Sequence, residues 1–321
     1  MTVPMKRFVA LGAALGLALA SVGGVAAAGS HAPREVMMPP RGAAGHAKPV
    51  RNSNLWFHGG NPGVVKGADK IYLVAWGSGW GDKGSNDLSQ EVALLSSFFQ
   101  HVGGSGWNNS VTQYCDHVGI GSTTCGAPTA QFAANPSADL LGGLVWFDTT
   151  NAAPAHPSQS DLAGEAVRAA AHYQNYSSSA NNFVQYVILT ASGNNASGAG
   201  SSYCAWHSST GSAYGTLAYT NFPYVTDYGA SCGANFNGLG PNAGITIVEG
   251  HEFAETETDI FPNGGWLDSS GAENGDKCAW ISGFGQGASA SVSLNGAPFP
   301  VQSLWSNAFN GGRGGCVVSY T

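Results

Sequence analysis

The chain reads as an α/β protein, a mixed and mostly parallel sheet flanked by helices, and three observations predict it. Short apolar, β-branched runs alternate with segments of helical periodicity between residues 71 and 190, the order expected of a layered sheet with helical crossovers. Beyond residue 288 the pattern becomes strand-like alternation around Asn295-Gly296, which predicts an antiparallel C-terminal β portion. Six cysteines and long Gly-, Ser- and Asn-rich stretches predict disulfide-tied loops.

Taken in chain order, Lys6-Arg7, the apolar run 8–20 and the small residues Ala26-Ala27-Ala28 form a secretory signal over residues 1–28. Residues 29–53 are rich in Ala, Pro, Gly and basic side chains without periodicity, so they read as a flexible linker or short pro-segment. Residues 54–321 then form a single catalytic-type α/β domain. Within it 71–76 is a buried strand, and 87–102 is an amphipathic helix with Asp87 as cap. Strands are expected at 110–114, 144–147 and 184–190, with a helix at 161–173 capped by Ser160 between the last two. Further on, Thr246-x-x-Glu249 reads as a capping box opening a helix that Pro262 blocks. A strand over 288–294, the Asn295-Gly296 turn and a return strand over 299–304 complete the chain.

Charge narrows the function. From residue 54 onward there are 6 basic and 18 acidic residues, a formal net charge of −12. Such a body repels phosphate backbones and anionic lipid heads, so neither nucleic acid nor a membrane surface is an expected partner. No second apolar stretch approaches the roughly 20 residues that span a bilayer, so a secreted, extracellular monomer is expected. An even number of cysteines in an oxidising compartment implies three disulfides. Pairing of neighbours, Cys115 with Cys125, Cys204 with Cys232 and Cys278 with Cys316, is expected because each closes a segment bounded by turn residues. No C-x-x-C spacing points to a cysteine metal site.

The most informative stretch lies at 248–259, where four of the chain's eight glutamates, Glu249, Glu252, Glu255 and Glu257, surround His251. Such like charge on one helix is costly unless a cation, a proton or a catalytic task offsets it. His251-Glu252-x-x-Glu255 is a variant of the zinc-protease pattern His-Glu-x-x-His, in which ligands at i and i+4 share one helical face and the Glu between them serves as base. The bland alternative is a solvated acidic face with an incidental histidine. A third protein ligand is available in Glu273 or Asp276, both just before Cys278. His207, beside Trp206 and next to Cys204, is either a packed loop residue or a rigid group able to steady an oxyanion. No G-x-S-x-G elbow supports a serine hydrolase.

Several segments together resemble the EXORDIUM or phosphate-induced protein family and its secreted bacterial relatives. They are Leu55-Trp56-Phe57-His58-Gly59-Gly60, Tyr72-Leu73-Val74-Ala75-Trp76-Gly77, Tyr203-Cys204-Ala205-Trp206-His207, Gly250-His251-Glu252-Phe253-Ala254-Glu255, Glu273-Asn274-Gly275-Asp276-Lys277-Cys278 and Val301-Gln302-Ser303-Leu304-Trp305-Ser306-Asn307. The resemblance implies an extracellular location and favours His251, Glu252, Glu255, Glu273, Asp276 and His207 as site residues over Asp259. Plant members are associated with cell-wall and growth responses, and the family's activity is poorly defined.

The expected function is a secreted zinc-dependent hydrolase, foremost a metallopeptidase acting on extracellular peptide or cell-wall material. Zn2+ is held by His251, Glu255 and either Glu273 or Asp276, Glu252 takes a proton from the attacking water, and His207 steadies the oxyanion. The alternative from another class is a noncatalytic cell-wall or glycan-binding protein in which the carboxylates hold a structural Ca2+ and exposed aromatics stack on sugars. A glycosidase using paired carboxylates is a third, weaker option.

Overall fold

The computed structural model describes Met1, residues 34–42 and residues 53–321 except Ala68, Ala138, Asn195 and Asn263. Apart from Met1, the signal sequence read over 1–28 lies outside the described residues.

Six strands form one mixed sheet: β1 (Val36–Met38), β3 (Lys70–Trp76), β6 (Trp146–Asp148), β7 (Val184–Thr190), β8 (Ala205–Ser212) and β9 (Gly215–Pro223), in the order β1-β8-β9-β7-β3-β6. β6, β3, β7 and β9 run parallel, while β8 pairs antiparallel with β9 and β1 antiparallel with β8. Four small antiparallel pairs decorate it: β2 (Trp56–Phe57) with β10 (Trp266–Leu267), β4 (Cys115–Asp116) with β5 (Gln131–Phe132), β11 (Ala290–Leu294) with β12 (Ala297–Val301), and β13 (Leu304–Ser306) with β14 (Gly315–Val317). The helices are α1 (Glu91–Val102), α2 (Gln159–His172), the single turn α3 (Ser178–Asn181), α4 (Ala243–Thr258) and the irregular turn α5 (Phe309–Gly312). The three predicted disulfides are all present.

Strand geometry explains why 71–76 and 184–190 are buried throughout and mostly apolar. Alternate side chains point to opposite faces of the sheet, and both faces are covered. Ile71, Leu73, Ala75, Val187 and Leu189 enter the core shared with α1 and α4, whereas Tyr72, Val74, Trp76, Tyr186 and Ile188 enter the core shared with α2. The same alternation on β8 sends Trp206 to the α2 side and Ala205 to the α4 side. His207, two residues on from Ala205, therefore faces α4.

Where the elements depart from the sequence pattern, local hydrogen bonding decides. Residues 110–114 are not a strand but the end of a 3-10 segment, Asn108–Gln113. Ser110 and Thr112 donate their hydroxyls to the carbonyls of Trp107 and Asn109, a local bonding mode that favours turns. Asp87 does cap α1, accepting from the N–H groups of Glu91 and Val92 at 2.9 Å, although the helix opens four residues later than expected. α2 is capped by Ser158 in a reciprocal box with Asp161, not by Ser160. The Thr246/Glu249 capping box does not exist. α4 opens at Ala243, and Thr246, inside it, donates to the Pro300 carbonyl at 2.6 Å. The helix ends at Thr258, ahead of Pro262. Asn295 and Gly296 adopt φ of 44° and 92°, a two-residue turn that sets Leu294 opposite Ala297, so the return strand starts earlier than 299 and stops at Val301.

Residues 34–42, expected to belong to a flexible linker, are an ordered part of the unit that spans Pro33–Thr321. A strand of three residues carries no readable periodicity; pairing with β8 holds it in place. Among the described residues no helix is long and apolar enough to cross a membrane.

Candidate metal centre

α4 lies against β8, β9, α1 and the β11–β12 hairpin, and all sixteen of its residues are buried. The glutamates that crowd its sequence therefore serve different neighbourhoods. Helical rotation turns only His251, Glu252 and Glu255 toward β8 and the 271–278 loop. Glu257 meets Asn108 Nδ2 at 3.5 Å on another side. Glu249 has no hydrogen-bond partner on either oxygen. The crowding that signalled a single site is thus two site carboxylates and two packed ones.

At the site, His251 donates Nδ1–H to Gln302 Oε1 at 3.2 Å, and Gln302 Nε2 in turn donates to the Gly275 carbonyl at 2.9 Å. This relay fixes the ring and turns Nε2 inward, the outer-shell arrangement that orients a ligating imidazole. Nε2 has no aligned hydrogen bond and faces Glu255 Oε1 at 3.1 Å and Asp276 Oδ1 at 3.8 Å. Glu255 is the hinge of the cluster. Its Oε1 also accepts the Asp276 N–H at 2.8 Å, while Oε2 points to His207 Nδ1 at 3.6 Å. His207 Nδ1 is hydrogen-bonded to Glu252 Oε2 at 3.0 Å, and its unpartnered Nε2 stands 3.8 Å from Glu273 Oε2.

Among the described residues two overlapping groups could therefore hold a metal ion, His207/Glu252/Glu255 and His251/Glu255/Asp276, with Glu255 common to both. Of the residues that the sequence singled out, His207, His251, Glu252, Glu255, Glu273 and Asp276 lie together here, whereas Glu249 and Glu257 do not. Glu273 stands beside the two groups rather than within either.

The electrostatics show one point that demands positive charge. Burial opposes a charged His251, but Glu255 against it, with Glu252 and Asp276 behind, raises its pKa to about 10. His207 is lowered to about 4, because burial outweighs the attraction of Glu255. Burial opposes ionisation of Glu255 too, yet His251 and the Asp276 N–H hold its carboxyl below the usual range. Asp276 is raised to about 7 by burial and by Glu255, and burial pushes Glu252 and Glu273 well above 4.5.

Two further residues complete the site, and neither has a chemistry that motif reasoning would select. Gln302 orients His251. Gly275 is held in ordinary helical φ/ψ, so its role is space rather than backbone freedom: a Cβ there would stand 2.8 Å from His251 Nδ1 and 2.9 Å from Glu255 Oε1. Gly275→Ala is expected to retain the fold while lowering metal affinity by at least about tenfold, the scale of outer-shell damage. Calorimetric metal titration of the variant checks it, and unchanged affinity would contradict the tight fit.

Glu249 supplies a control away from the ligands. Burial raises its pKa well above 4.5, so folding takes up a proton, and its contribution to stability is present below pH 4.5 and lost as the pH climbs toward the raised value. Glu249→Met removes both the pH slope and two unpartnered oxygens. The variant is expected to gain about 1–3 kcal/mol at pH 7, measured by denaturant unfolding.

Comparison of the chain with protein-family models, with curated proteins and with solved structures finds no match.

Proposed function

We propose that the protein is a secreted zinc-dependent hydrolase of peptide bonds in extracellular protein or cell-wall material, with the metal held by His251, Glu255 and Asp276 and Glu252 as general base. The observation that carries this reading is the unpartnered Nε2 of His251, locked inward by Gln302 and faced by two carboxylate oxygens at 3.1 and 3.8 Å. Tetrahedral zinc with bonds of about 2.0 Å keeps neighbouring donor atoms about 3.3 Å apart, which those distances bracket.

Zinc bound there would supply Lewis-acid activation of water and of a substrate carbonyl. The chain's own residues do the rest. Glu252, adjacent on α4 and buried, receives the proton, and its raised affinity for protons suits it to that task. His207, hydrogen-bonded through Nδ1 to Glu252, stabilises negative charge in the tautomer that carries its proton on Nε2, with Nδ1 accepting from Glu252 once that carboxyl has taken up the proton. Two carboxylate ligands lower the net charge of the centre and with it the Lewis acidity, which favours slow or specialised turnover.

An imidazole nitrogen in both candidate groups supports zinc over calcium, which prefers oxygen alone. None of the nine tryptophans is exposed, and the exposed aromatics Phe132, Tyr176 and Phe284 lie away from the acidic cluster in sequence, so the glycan-stacking alternative has no exposed tryptophan to rest on. The three disulfides fit an oxidising compartment, as does the resemblance to the EXORDIUM family. Metal analysis of the secreted protein purified without chelator is expected to give about one zinc per chain. Protein that carries no transition metal and takes up none when zinc is added would overturn the reading. Stoichiometric calcium in its place would favour the noncatalytic binding protein.

A further inference from the structure

We infer that the outer edge of β8 is a docking edge for an extended peptide, and that residues 34–42 of the same chain occupy it as a tethered, substrate-like blocker. The identity of the bound chemistry as a substrate rests on the hydrolase reading; the docking itself does not.

Among the described residues β1 is the terminal strand of the sheet and pairs with β8 alone, Val36 opposite His207 and Met38 opposite Ala205. It is laid across the candidate centre. The Met38 N–H donates to Glu252 Oε1 at 3.3 Å, and the Met38 carbonyl accepts the Cys204 N–H at 2.8 Å. A main-chain amide of the occupant thus sits on the very carboxylate assigned as base, where the amide of a scissile peptide would have to come. With the strand in place His207, Glu252, Glu255 and His251 are all buried to within 1%. A hydrolase so closed cannot admit a second peptide by the same route.

The anchoring is mostly through the occupant's backbone, as in strand addition to a sheet edge, where main-chain bonds give affinity and alternate side chains give specificity. Ser208 Oγ donates to the Arg34 carbonyl at 2.9 Å, Trp280 Nε1 to the Pro39 carbonyl at 2.6 Å, and the Arg41 N–H to the Ser231 carbonyl at 2.8 Å. Val36 and Met38 are buried, with Met38 in the core shared with α4, whereas Met37 is only half-buried on the other face. The edge therefore selects extended peptides with a large apolar residue at the position of Met38. Beside the strand a groove of about 1080 Å³, lined also by Trp280, Trp305 and Phe309, leaves room for further substrate. Arg34 and Arg41 clamp the ends, donating to the carbonyls of Gly271 and Ala230 at 3.0 and 3.2 Å.

The test uses the full secreted chain with a site-specific protease sequence placed between residues 43 and 52, cleaved after folding. A fluorescent synthetic peptide of residues 34–42 is then titrated by anisotropy into cut and uncut protein. The cut protein is expected to bind the labelled peptide saturably and at least tenfold more tightly than the uncut chain, with unchanged circular dichroism. A peptide carrying Met38→Asp should bind at least tenfold more weakly. In the uncut chain Arg34→Ala with Arg41→Ala should admit the labelled peptide where the unaltered chain does not. If the cut protein unfolds, or never exchanges its own segment for the labelled peptide, β1 is an integral strand and the proposal is overturned. Peptide uptake by metal-loaded cut protein that hydrolyses no peptide leaves the docking edge standing and overturns the hydrolase reading instead.

Discussion

Glu252→Gln is expected to keep about one metal ion per chain while slowing peptide hydrolysis by about 10²–10⁴-fold, the usual worth of a positioned general base. The expectation follows from where the carboxylate points. Its two oxygens meet the Met38 N–H and His207, while His251 Nε2 is faced by Glu255 and Asp276. Glutamine has the same shape, retains an oxygen for Met38, and is neutral, as suits a buried position whose carboxyl already resists ionisation. Metal content and turnover, measured on one preparation of protein cut between residues 43 and 52, separate the two candidate groups. If the substitution releases the ion, the metal belongs to His207/Glu252/Glu255, and Glu252 is a ligand rather than the base.

Much of the architecture was readable because its physics is local or periodic. The mostly apolar runs at 71–76 and 184–190 become β3 and β7, Asp87 caps α1, and Asn295-Gly296 turns the hairpin, each from a signal within a few residues. Neighbour pairing of the cysteines is equally local. His251 and Glu255 share a face because i and i+4 must. What escaped depends on partners distant in sequence. α4 is buried on every side, so its start could not be found from a polar boundary, and Thr246 spends its hydroxyl on Pro300 rather than on a cap. The acidic run overstated the site, since Glu249 and Glu257 pack against other elements. Gln302 and Gly275 act by orientation and by absence of volume, for which no motif exists. β1 is too short to show a pattern and is ordered by β8.

Asp276→Asn is expected to lower metal affinity at least about 100-fold, beyond the tenfold to 100-fold typical of outer-shell changes, whereas Glu273→Gln should cost less than about tenfold. Both acids lie in one loop that the sequence left as equal alternatives, and the fold separates them. Trp305 N–H donates to the Asn274 carbonyl at 2.8 Å, and Asn274 Nδ2 donates to the Ala254 carbonyl at 3.0 Å, which fastens the loop between α4 and β13. The Asp276 N–H then reaches Glu255 at 2.8 Å, setting its carboxylate beside His251, while Glu273 is turned toward His207 Nε2. The Cys278–Cys316 bridge ties the same loop to β14, where Cys316 pairs with Trp305 of β13. Opening it by Cys278→Ser with Cys316→Ser removes one of several fasteners and should weaken metal binding by about tenfold, more than opening Cys115–Cys125 or Cys204–Cys232 does. Competition against a chromophoric chelator ranks all five variants on one scale. A loss in Glu273→Gln that equals or exceeds that in Asp276→Asn would move the third ligand to Glu273 and bring His207 into the coordination sphere.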